Sequence, residues 1–185
     1  MDEACRDLRV VHTIGHSTRA IEAFRGLLEV HAIGRVVDVR RWPASRRHPQ
    51  FGGERLIDSL GSRGIEYAWR EELGGFRSPR PDSPNTGWRT PAFRAYADFM
   101  LTPEFETAIA GLETVAASQR IAIMCAEGVP WRCHRQLLAD ALTVRGWRVR
   151  HIMEDGCHVH RLTSFARPTG VGIHYGGDDL FAPGA

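Results

Sequence analysis

The densest gathering of reactive side chains is Cys125-Ala126-Glu127-Gly128-Val129-Pro130-Trp131-Arg132-Cys133-His134-Arg135. Ile121 to Cys125 is an apolar run of the kind that forms a buried central strand, which sets Cys125 at a strand end. A Gly- and Pro-containing loop follows, and a helical pattern resumes near Trp131. Amides at a helix N-terminus attract anions. The same dipole, with Arg132 and Arg135 close in sequence, favours a thiolate at Cys125. On this reading Cys125 is a nucleophile or redox thiol and Glu127 an acid/base. Arg132 and Arg135 clamp an anion, and His134 carries a proton.

The pattern is analogous to the cysteine-loop-arginine cradle of cysteine phosphatases and to the active-site loop of rhodaneses. Glu127 would place a carboxylate inside such a cradle, which works against a doubly charged phosphate. The competing reading packs Cys125 as a small hydrophobe, since buried cysteines are common. The charged and reactive neighbours favour chemistry at Cys125. At Cys133, placed on the buried side of a first helical turn, packing leads. Cys125, Cys133, His134, Cys157, His158 and His160 are all ligand types. Yet no Cys-x-x-Cys pair exists, and Cys133 and His134 on one helix would point apart. No metal ligands are assigned.

A second constellation runs from Asp38 to Phe51 and holds Arg40, Arg41, Trp42, Arg46, Arg47 and His48. Arginine forks match phosphate or carboxylate, and aromatic rings stack on bases. Arg40 follows directly from a strand and is the best anion ligand here, with Asp38 orienting it. Arg41 and Arg46 are further candidates against a plain solvated loop. Gly15-His16-Ser17-Thr18 ends another strand and offers an imidazole and hydroxyls at a helix start. Tyr67 closes the third strand, Leu73-Gly74-Gly75 lets backbone approach a ligand, and His160 closes the rim after the last main strand.

These groups need elements to hold them. Val10–Ile14, Arg35–Val39, Ile65–Trp69, Ile121–Cys125 and Trp147–Ile152 read as strands. Between them lie amphipathic stretches, with Ser17 or Thr18 capping the first. Thr90-Pro91 and Thr102-Pro103 open two more helices. Alternation of this kind predicts an α/β fold with a mostly parallel sheet flanked by helices. Ligands of such sheets sit beyond the carboxyl ends of the strands, which gathers His16, Arg40 and Cys125 on one rim. Residues 1–167 form the expected single compact domain. An irregular tail, rich in Gly, Pro and Asp and with room for one short edge strand, follows over 168–185.

With 185 residues, 43% hydrophobic and 25% charged, the chain has the composition of one soluble domain. All 24 basic side chains are Arg, which excludes lysine Schiff bases and a P-loop lysine. A net charge of +2 does not by itself argue for nucleic acid. Four dispersed cysteines point to a reducing compartment. An acidic N-terminus and no long apolar run point to a cytoplasmic protein with no membrane partner. Neither a cofactor nor an oligomeric state is indicated.

Several motifs in order resemble the bacterial and archaeal family catalogued as domain of unknown function 488. They are Thr13-Ile14-Gly15-His16-Ser17, Asp38-Val39-Arg40-Arg41 with Pro43, Ser45, Arg46, Pro49 and Phe51, and Leu73-Gly74-Gly75. Met124-Cys125-Ala126-Glu127 and Cys133-His134-Arg135 follow, and His160, Leu162, Thr163 and Arg167 close the resemblance. It implies a single compact α/β domain and no particular reaction. Three readings follow from the residues. The first is an enzyme acting on a small anionic, phosphate-bearing or nucleotide-like compound. The second is a non-catalytic nucleic-acid module using the loop 40–51, and the third a Cys/His metal protein.

Overall fold

The computed structural model describes residues 9–170 and 172–176. The expected strands form as β1 (Val10–Gly15), β2 (Arg35–Asp38), β3 (Glu66–Trp69), β4 (Ile121–Cys125) and β5 (Arg148–Met153). Helices α1 (Ile21–Val30), α2 (Gly53–Gly61), α3 (Pro91–Phe99), α4 (Pro103–Ser118) and α5 (Arg135–Val144) connect them. A sixth strand, β6 (Gly156–Val159), adds to the expected five, and Asp155-Gly156 is the turn signal that introduces it. It runs antiparallel to β5, and the sheet order is β3-β2-β4-β1-β5-β6 with all other pairings parallel.

Period-two alternation gives the sheet two apolar faces. Val11, Val37, Ile121, Ile123 and Val149 meet α3, α4 and α5, through residues such as Tyr96, Ile109 and Leu138. Ile14, Val36, Ala122, Met124 and Ile152 meet α1 and α2 through Phe24, Leu28, Leu56 and Leu60. The result is an α/β three-layer domain. Thr102 caps α4 by accepting a hydrogen bond from the Phe105 amide at 3.3 Å. The cap of α1 is Ala20 rather than Ser17 or Thr18, because Ser17 turns at φ +50° and keeps to the strand-end loop.

After Pro168 the short strand expected there pairs in a hairpin, β7 (Arg167–Thr169) with β8 (Gly172–His174). Ile173 and Tyr175 are buried in the α3–α5 core, so the packed body runs to the end of the described residues. The remainder of the predicted tail, and Cys5, lie outside the described residues. Among the described residues, no helix is long and apolar enough to cross a membrane.

Candidate functional site

Register brings the carboxyl ends of the three central strands level. Gly15 pairs with Cys125, and Asp38 with Met124. The loops leaving these ends are stitched together by backbone. The His16 amide donates to the Cys125 carbonyl at 3.0 Å, that of Ser17 to Ala126 at 2.8 Å, and that of Val39 to Met124 at 3.0 Å. A Cβ at Gly15 would lie 1.8 Å from the Glu127 carbonyl oxygen, so only glycine admits the two loops side by side.

Beyond these ends lies a cavity of about 450 Å3. Cys125, Cys133 and His134 line it, with Arg40, Tyr96 and Gly75 beside them. Arg41, Trp42, Phe76, Phe93, Glu127 and Arg132 complete the wall. The helix expected from Trp131 begins only at Arg135, after a 3-10 turn at Pro130–Arg132. Cys133 is therefore extended, at φ −139° and ψ 151°, and lies outside the helix. That corrects the expectation that Cys133 and His134 diverge: Cys133 Sγ is 3.6 Å from His134 Nδ1. The ligand atoms of Cys125, Cys133 and His134 all lie within 4.8 Å of one another. His134 Nε2 donates to the Val39 carbonyl at 3.2 Å, which turns Nδ1 toward the sulfurs.

The ionisation pattern also differs from the expected one. Cys133 is held well below the ordinary thiol range, first by the hydrogen bond from Cys125 and then by His134 and Arg135. Cys125 is pushed up, by that same bond and by burial. Of the two adjacent buried thiols it is thus Cys133, and not Cys125 as expected, that the surroundings lower. Arg135 is 1% exposed, and Nη1 donates to Thr13 Oγ1 at 3.3 Å while Nη2 donates to the Glu127 carbonyl. Its Nε has no partner, and among the described residues no carboxylate reaches it. Its charge lowers both thiols, and it does not line the cavity. Arg132 is exposed on the cavity wall.

Asp38 does orient Arg40. The guanidinium Nε lies 2.9 and 3.0 Å from the two carboxylate oxygens, and Nη2 donates to Oδ2 at 2.5 Å and to the Phe51 carbonyl at 2.9 Å. Tyr67, which lies within β3 rather than at its end, donates to Asp38 at 2.7 Å. His16 Nδ1 donates to the Ser17 carbonyl at 2.9 Å, its Nε2 faces Arg40 Nη1 at 3.4 Å, and its ring stacks on Phe51 at 4.4 Å. Burial drops its pKa to about 4, so the ring is neutral at pH 7. His16 and Ser17 line an adjoining groove with Arg46, outside the thiol cavity. Within the cavity wall, the arginine-aromatic loop contributes Arg40, Arg41 and Trp42.

His160 is not on the rim. It lies in a buried chain that starts at Arg135 and Thr13 and continues from Thr13 Oγ1 to His151 Nδ1 at 2.7 Å. His151 Nε2 is 3.0 Å from His160 Nδ1, and His160 Nε2 is 2.8 Å from Asp140. Thr163 and Tyr175 also donate to Asp140, at 2.7 and 2.9 Å. All these bonds run in one direction if both imidazoles are neutral, and burial lowers His151 to about 3. Sequence reasoning missed Thr13, Asp140, His151 and Tyr175. Alternation from Val11 and Val149 puts Thr13 and His151 on the α5 face, a usable signal. Phe76 and Phe93 carry no such signal, since the segments that hold them reach the cavity only through tertiary folding.

The family model described as domain of unknown function DUF488 matches residues 20–142. No curated protein and no solved structure matches the chain.

Proposed function

The chain belongs to the DUF488 family, whose match takes in two thirds of its length and the whole thiol cluster, and we propose that it is an enzyme acting on a small anionic, nucleotide-like compound. One observation carries this reading: two thiols and an imidazole converge in a cavity that also holds arginine and aromatic side chains. The volume falls in the range of about 300–1,000 Å3 usual for small-molecule sites. Trp42 and Phe76 are 62% and 82% exposed with ring centroids 5.3 Å apart, a surface suited to stacking on a base. Arg132 has no ion-pair partner among the described residues, and Arg41 reaches Glu71 only at 4.0 Å. Both are available to a phosphate or carboxylate.

In this reading the anion enters along Arg41 and Arg132, and the reacting part of the compound meets Cys125 and Cys133. Glu127, exposed at the cavity wall, supplies or accepts a proton. Arg40, Asp38 and Tyr67 hold the wall in shape, because their polar atoms are largely spent on one another. Alkylation with iodoacetamide and peptide mapping tests the proposal. Nucleoside monophosphates should slow modification of Cys125 and Cys133 severalfold and leave Cys157, outside the cavity, unaffected. Equal rates at Cys125 and Cys133 across phosphate, nucleotides and sugar phosphates would falsify it.

A further inference from the structure

We propose that Cys125, Cys133 and His134 form a three-ligand site for a divalent transition metal, zinc by its donor set, with the remaining coordination position turned to the cavity. The inference deepens the function proposed above and rests on the same cavity, naming what its closed end holds. Zinc takes sulfur at about 2.3 Å and imidazole nitrogen at about 2.0–2.1 Å, so a tetrahedral centre separates the two donors by about 3.6 Å. Cys133 Sγ and His134 Nδ1 lie 3.6 Å apart, and Cys125 Sγ falls within 4.8 Å of both.

The surroundings support the same assignment. His134 donates Nε2–H to the Val39 carbonyl, which leaves Nδ1 as the ring nitrogen that faces Cys133. An outer carbonyl on the distal ring nitrogen is the usual orienting device of metal-bound histidine. Gly75 keeps the space clear, since a Cβ there would come within 3.2 Å of Nδ1. On binding, the metal forms two bonds to sulfur and one to nitrogen, and the thiol protons leave to solvent. Two thiolates neutralise the dication, so the buried Arg135 guanidinium beside them does not repel the filled site. Three protein ligands facing an open cavity is the pattern of catalytic rather than structural zinc. A bound ion there would polarise a phosphoryl or carbonyl oxygen of the compound.

A second trio, His12, His31 and Cys157, also has ligand atoms within 4.8 Å of one another, and the test must separate the two. The full chain, reduced and stripped with chelator, is titrated with cobalt(II), and sulfur-to-cobalt charge transfer and the visible bands of tetrahedral cobalt are followed. One equivalent should bind, and zinc should displace it. Cys133→Ser and His134→Ala should weaken binding by at least about 100-fold, the upper end of what losing an outer-shell partner causes. Cys157→Ser should change nothing. Adding AMP or inorganic phosphate should shift the visible bands, since the anion reaches the open position.

Absence of thiolate–cobalt absorption in the reduced wild type overturns the metal site, as does absorption that survives Cys133→Ser and disappears with Cys157→Ser. Thermal melts of each variant separate a lost ligand from a lost fold, and the wild-type titration stands whether or not a variant folds. Nucleotide protection of the thiols without cobalt binding removes the metal and keeps the small-anion function. Cobalt binding without any nucleotide effect keeps the metal and removes that function.

Discussion

Asp38 has no exposed surface and its carboxylate receives Arg40, the Arg40 amide and Tyr67 together. Burying both charges gains little over an apolar pair, but removing one partner leaves the other stranded. Asp38→Asn should therefore cost about 3–5 kcal/mol, read as a shift in the urea midpoint. Arg40→Lys should fail to rescue the geometry, because an ammonium cannot span the carboxylate and the Phe51 carbonyl. A second effect at this scale concerns acid. Burial lowers His16 to about 4 and His151 to about 3, against about 6.5 in the unfolded chain. Between those values the unfolded chain binds more protons, so stability is full above pH 6.5 and falls as pH drops toward 4 and then 3. Because a tenfold change in proton affinity is worth about 1.36 kcal/mol, the two sites together amount to several kcal/mol. Melting temperature against pH should show that slope, reduced when His16 is replaced by Gln.

At the scale of elements, the site depends on how closely the loops after β1 and β4 can lie. Gly15→Ala places a methyl group on the Glu127 carbonyl, so one loop must move. Overpacking of this kind costs about 1–3 kcal/mol, and the displaced β4 loop carries Cys125 and Glu127. Denaturation and alkylation rates at Cys125 should both change, whereas Gly61→Ala, with open space around it, should change neither. Pro130 and Trp131 follow the loop as a helix opening does, which is why the sequence pattern starts α5 early. Only a 3-10 turn forms there, and the extended Cys133 beyond it is what lets Cys133 and His134 meet. The Asp140 chain likewise ties α5 to β1, β5, the segment after β6 and the residue after β8 through side chains from five separate segments.

Across the whole molecule, β4 and β1 lie between neighbours on both sides and between helices on both faces. Amide exchange should be slowest over Val11–Ile14 and Ala122–Met124 and faster in β3 and β6 at the sheet edges. Uniform protection along the sheet would contradict the strand order. The sheet also explains why the reactive residues share an end. Parallel strands deliver all their carboxyl termini to one side, so Gly15, Asp38 and Cys125 reach it whatever lies between them in sequence.

Local chemistry of the chain determined the fold class, all five parallel strands and the common rim, because period-two and helical patterns and turn residues are short-range signals. It determined too that Asp38 holds Arg40, a contact across two residues. Tertiary structure decided which thiol is lowered and which is raised, because that depends on the distance of Cys133 from Cys125 and on His134 and Arg135 around it. It decided that His160 faces Asp140 inside the domain, and that His16 and Arg46 line a groove apart from the thiols. Burial, cross-segment distance and a single extended residue before a helix have no periodic trace in the chain. They exist only once the strands are in order and the loops have met.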